Sequence, residues 1–130
     1  MAKSFMKYRG RGFWSWDGYL EHVLALLAAK LSESSGEDWK TELSEHWKLC
    51  STGIFLSFIS SRLDEYVTTD ERRDEVIRVL DEAASHPGLQ REARETIVLF
   101  KRLLLGEITT DASSPLDYMV TGQHPYEWSV

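Results

Sequence analysis

The residues of this 130-residue chain whose types and spacing could do chemistry are two spaced pairs and a lone thiol. Asp17 and Glu21 stand four positions apart, which on a helix sets one a turn above the other. Two carboxylates that close raise one pKa, as an acid–base pair requires. The same positions also suit a helix cap and a first-turn acid facing the helix dipole. Glu42 and His46 repeat the spacing and would make half of a carboxylate–imidazole site, or an ordinary exposed helix contact. His22, His46, His86 and His124 are scattered, and no two share the i,i+4 spacing that offers a metal two ligands from one helical face. Cys50 is the only cysteine, which excludes an internal disulfide and a thiolate zinc cluster. Its place on an apolar stripe suits a buried structural thiol rather than a nucleophile. No catalytic set, metal site or cofactor site is expected.

Arg9-Gly10-Arg11-Gly12 has the composition of a phosphate-binding loop, but the glycine motifs that cradle phosphates follow a strand, and none is expected before it. The alternative is a structural turn that brings aromatic residues into the core. Acidic residues form the largest surface signal. Glu33, Glu37, Asp38, Glu42 and Glu45 cluster in one stretch, and Asp64, Glu65, Asp70, Glu71, Asp74 and Glu75 in another. Such runs are either solvated faces or docking surfaces that speed encounter with a basic partner.

The elements that must position these residues read as helices. Tyr8 to Trp16, with glycines among Tyr8, Phe13, Trp14 and Trp16, makes residues 1–15 an ordered aromatic lead-in, with Ser15 or Asp17 as cap. Trp16, Leu20, Val23, Leu24, Leu27 and Leu31 recur at helical spacing and define a central helix. After the polar break Ser32–Gly36, a second helix from about Glu37 carries Trp39, Leu43, Trp47 and Cys50 as a narrow stripe. Asp38, Lys40, Glu42, Glu45 and Lys48 are expected on its solvent face. A third helix is predicted over Ile54–Val67 and a fourth after Thr68-Thr69-Asp70, stopped by His86-Pro87-Gly88. A fifth runs from about Leu89 to Leu105 and ends at Gly106. Residues 107–130 have no helical period and read as an extended tail whose apolar members, Tyr126 and Trp128 among them, pack on the bundle. The expectation is an all-α fold: one compact bundle of about five helices spanning 1–130, with an irregular C-terminal tail.

Net charge is −6 with a pI near 5.2, against nucleic-acid binding, which needs lysine and arginine to displace counterions. The charge is uneven: Lys3, Lys7, Arg9 and Arg11 stand without an acid in residues 1–16, and Glu107, Asp111, Asp117 and Glu127 without Lys or Arg in residues 103–130. The longest apolar stretch, Val23–Ala29, is far short of a membrane span, and the basic N-terminus has no signal-peptide core. A cytoplasmic protein is expected, with no membrane partner.

The stretch Tyr8-Arg9-Gly10-x-Gly12-Phe13-Trp14-x-x-Asp17-x-x-Leu20-Glu21 resembles the start of a group of small bacterial immunity proteins that accompany polymorphic and contact-delivered toxins. The likeness continues in Asp38-Trp39-x-x-x-Leu43-x-x-x-Trp47 and in Gly53 opening a hydrophobic helix toward Arg62-Leu63. It covers residues 8–63 well and the second half only in helical pattern. The resemblance implies an antidote that binds one cognate toxin domain, blocks its active site or substrate access, and needs no catalytic residue of its own. The charge adds that a nuclease toxin, with its basic substrate face, would suit an acidic antidote. Glu37, Asp38, Glu42 and Glu45, joined by Tyr126 and Trp128, are then the expected partner-binding residues. The rival reading is a helical adaptor or regulatory binding protein, monomer or homodimer, with no toxin.

Overall fold

Two short strands open the chain. In the computed structural model, which describes residues 3–33, 36–51 and 62–108, β1 (Lys3–Tyr8) and β2 (Arg11–Trp16) pair antiparallel. Tyr8 pairs with Arg11 and leaves Arg9-Gly10 as a two-residue loop, with φ of 51° and 78°. Positive φ at both central residues is the type I′ geometry that matches the twist of a hairpin, and Gly10 adopts it without a Cβ penalty. The lead-in is therefore a hairpin, and the expectation that no strand precedes Arg9 is corrected. Apolar residues at consecutive positions (Phe5 beside Met6, Phe13 beside Trp14) had hidden the period-2 pattern. Met6 pairs with Phe13, and both side chains are wholly buried. The structural-turn reading of the Arg-Gly run holds: the turn carries Tyr8 and Phe13 into the core.

Helix α1 (Asp17–Glu33) leaves β2 without a loop. Ser15 is not its cap, since its hydroxyl meets the Thr96 hydroxyl at 3.1 Å; Asp17 heads the helix instead. Leu20, Val23, Leu24, Leu27 and Leu31 are all fully buried. The helix is central, contacting both strands and the helices α2 (Asp38–Cys50), α4 (Asp70–Ala84) and α5 (Arg91–Leu104). Each buried leucine contributes about 1.5–3 kcal/mol relative to exposure. The predicted stripe of α2, Trp39, Leu43, Trp47 and Cys50, is buried as expected, and Ser44 fixes its height on α1 by donating to the Ala28 carbonyl at 2.8 Å.

Of the third helix expected over Ile54–Val67, residues 54–61 fall outside the described part, and the described remainder holds the short helix α3 (Leu63–Tyr66), preceded by Arg62 in the left-handed region at φ 59°. Residues 52–61 lie outside the described part, as do 109–130, which hold Tyr126 and Trp128 and the expected tail. Ile108, the last described residue before it, is buried. Helix α4 begins as predicted: the Thr69 hydroxyl accepts from the Arg72 N–H at 3.2 Å. Gly88 and Gly106, both at positive φ, follow α4 and α5. Phe100 of α5 joins the layers. Its ring lies 6.5 Å from Phe13 of the hairpin and 6.0 Å, edge-on, from Trp47 of α2. The described part is thus mostly helical with one hairpin packed on it. No helix among the described residues is long and apolar enough to cross a membrane.

Candidate functional site

The acidic residues of α2 divide into two groups. Asp38, Glu42 and Glu45 recur at the i, i+4, i+7 positions of one helical stripe, opposite the buried one, and all three are exposed. Leu49 extends the stripe by one turn and is 53% exposed, the most exposed large apolar side chain among the described residues. Among the described residues Asp38, Glu42 and Glu45 form no ion pair, although Lys48 follows Glu45 by three positions. Glu37 belongs elsewhere. Its carboxylate accepts from the Trp39 indole N–H at 2.7 Å and lies 3.6 Å from the Lys40 ammonium.

Lys40 was expected on the solvent face of α2, and the structure corrects this: it is 7% exposed. Its ammonium turns back toward α4 and meets Glu75 at 3.3 Å, because the aliphatic stem can cover apolar surface only if the charge finds a partner. Beside it, the Arg72 guanidinium stacks over the Trp39 ring at 5.0 Å and donates to the Tyr66 carbonyl at 3.0 Å. Together Glu37, Trp39, Thr69, Glu71, Arg72 and Glu75 line a cleft of about 440 Å³ between α2 and α4.

The second acidic stretch is different in kind. Asp70 and Asp74 pair with Arg73, Glu75 and Glu82 with Arg78, Asp81 with Lys101 at 2.9 Å, and Glu65 with Arg62. Asp64 accepts from the Arg9 backbone N–H at 2.8 Å. Charges paired within the fold offer a partner less than charges left to solvent, so α4, exposed Glu71 aside, is largely a self-neutralised face and the α2 stripe an open one. The i,i+3 and i,i+4 spacings of Asp70, Arg73, Glu75, Arg78 and Glu82 carry this signal in the sequence.

Burial pushes the Glu75 carboxyl up, but hydrogen bonds and charges from Arg78 and Lys40 together outweigh it and hold the group below the ordinary carboxylate range. A carboxyl whose folded pKa is depressed stabilises the protein above its unfolded pKa and loses that contribution as pH falls through the folded pKa. Acid titration of stability should therefore be shallower in Glu75→Gln than in the parent below the ordinary carboxylate range. At neutral pH the variant should be less stable by about 1.5–3 kcal/mol, the worth of hydrogen bonds to a charged group. Urea unfolding at a series of pH values reads both; parallel pH profiles would refute the assignment.

The two spaced pairs weighed as alternative acid–base sites are not brought into either cleft. Glu21 is raised by burial and then by the neighbouring Asp17 charge, yet neither residue lines either cleft described here. His46 is drawn to the thiol rather than held ready for a ligand, its Nε2 lying 3.6 Å from Cys50 Sγ. Burial, opposed by the Arg62 charge and a backbone hydrogen bond, lifts the Cys50 pKa to about 11. At pH 7.5 such a thiol holds about 100-fold less thiolate than an unperturbed one. Ellman's reagent should accordingly leave Cys50 unmodified in the native protein and titrate it fully in guanidinium; fast native labelling would contradict the burial. Among the described residues, no group of three or more His, Cys, Asp and Glu side chains could hold a metal ion.

Comparison of the chain with protein-family models, curated proteins and solved structures gave no match.

Proposed function

We propose that this chain is a toxin-neutralising immunity protein that binds a cognate bacterial toxin domain through the outward stripe of α2. The observation that carries the reading is the run Asp38, Glu42, Glu45 and Leu49, three carboxylates without an ion pair among the described residues and an exposed leucine on one face. Open charge steers a basic partner into encounter, and the leucine gives the contact a desolvated point. The sequence resemblance to immunity proteins, carried by Tyr8–Glu21 and Asp38–Trp47, supports the same reading. Most of the residues that carry it build the hairpin turn, α1 and the buried stripe of α2, while Asp38 belongs to the exposed stripe. A blocker of this kind acts by occupying the toxin's substrate face and uses no catalytic group.

The test is to co-express the chain with the C-terminal domain of the protein encoded immediately upstream, and to follow growth. A domain that arrests growth alone and is harmless with this chain supports the antidote. A harmless domain, or one that stays toxic beside this chain, moves the reading to a helical adaptor.

A further inference from the structure

A second cleft, lined by three arginines, plays no part in the proposed interface. It lies where the hairpin turn meets the end of α5, has a volume of about 300 Å³, and is lined by Tyr8, Arg9, Arg11 and Arg73 together with Leu105 and Ile108 among others. Cross-strand pairing puts Arg11 opposite Tyr8 and so on the same face of the hairpin. Tyr8 is fixed there by donating its buried hydroxyl to the Val67 carbonyl at 3.1 Å. The Arg9 guanidinium stands over the Tyr8 ring at 5.0 Å and, among the described residues, forms no ion pair. Arg73 reaches the cleft from α4, its terminal nitrogens 3.5 Å from Asp70 and 3.4 Å from Asp74. Its buried Nε–H has no acceptor among the described residues.

Three guanidinium groups line one cleft in a chain of net charge −6, the Arg73 charge already met by Asp70 and Asp74 and the Arg9 charge forming no ion pair among the described residues. Guanidinium presents a planar fork of donors that matches an oxyanion. The rest of the wall is apolar, and Leu105 is 45% exposed beside it. We propose that this cleft binds a small organic oxyanion, a phosphate monoester or carboxylate on an apolar body, with the arginines gripping the head group and Leu105 and Ile108 covering the body. The volume sits at the low end of ligand sites, which start near about 300 Å³. Because the net charge repels anions at a distance, selectivity comes from short guanidinium contacts and not from steering.

Titration of the full chain with phenyl phosphate and with phenylacetate, followed by amide NMR, tests the site. The expected result is saturable shifts centred on Arg9–Gly12 and Leu105–Ile108 for one or both, the stronger of the two naming the head group. Benzyl alcohol should give none, and inorganic phosphate should bind at least tenfold more weakly. Arg9→Gln should weaken phenyl phosphate tenfold or more. Leu105→Ser, at an exposed position, should weaken phenyl phosphate and leave inorganic phosphate unchanged. Shifts elsewhere, no saturable binding, or inorganic phosphate equal to phenyl phosphate would overturn the proposal. So would binding seen only in the full-length Asp111→Asn/Asp117→Asn variant, which would give the cleft to the chain's own acidic segment.

Discussion

Phe100→Ala should be the most damaging single substitution among the described core residues, lowering stability by about 3–5 kcal/mol. The ring is wholly buried and lies at the junction of the hairpin, α2 and α5, against Phe13 and Trp47. Truncation removes the transfer energy of the ring, leaves a cavity with three walls on different elements, and takes away two aromatic contacts worth about 0.5–1.5 kcal/mol each beyond burial. A domain of this size has about 5–15 kcal/mol in all, so the loss should bring the variant near its unfolding threshold at 37 °C. Phe100→Leu fills most of the space and should cost less than half as much. Urea midpoints of the two variants measure the difference. Equal, small shifts would mean that the hairpin does not share a core with α2 and α5. The NMR resonance of the Trp47 indole N–H should then stay in place when Phe13 is replaced by leucine, whereas their shared contact with Phe100 should shift it.

The helices were legible because each buries one face and the apolar residues mark that face at 3.6-residue spacing. Leu20 to Leu31, Trp39 to Cys50 and the Thr69 cap all lie where the pattern puts them. The hairpin was not legible, for a physical reason: a strand with apolar residues at consecutive positions has no alternation to read. Its strongest local sign was the turn itself, since Arg9-Gly10 supplies a glycine where φ must be positive. The site was half legible. Sequence placed Asp38, Glu42 and Glu45 on an exposed face, but could not tell that Glu37 is spent on Trp39 and Lys40. Nor could it show Lys40 buried against Glu75, because that pair spans 35 positions and depends on how α2 crosses α4. Local spacing reveals pairs within a helix; pairs between helices exist only once the fold does.

On the proposed interface, Glu42→Lys with Glu45→Lys should leave the fold intact and remove most of the encounter rate. Neither side chain is paired among the described residues and both are exposed, so the stability change should stay within about 1 kcal/mol. Reversing both charges changes the local field by four units. Association with the neutralised toxin domain should slow by roughly ten- to a hundredfold at low ionic strength, with a shallower salt dependence. The dissociation rate should move little, because rim charge acts on approach more than on residence. Leu49→Asp should do the opposite, raising dissociation by burying a charge at the contact. Glu82→Lys on α4 is the matched control. It sets a second cation beside Arg78 and breaks a pair within the fold, so it should cost stability and leave association unchanged. Stopped-flow mixing at two salt concentrations separates the cases. An unchanged on-rate for the α2 variant, beside a slowed one for Glu82→Lys, would move the docking surface from α2 to α4 and mean that charges paired within the fold still do the steering.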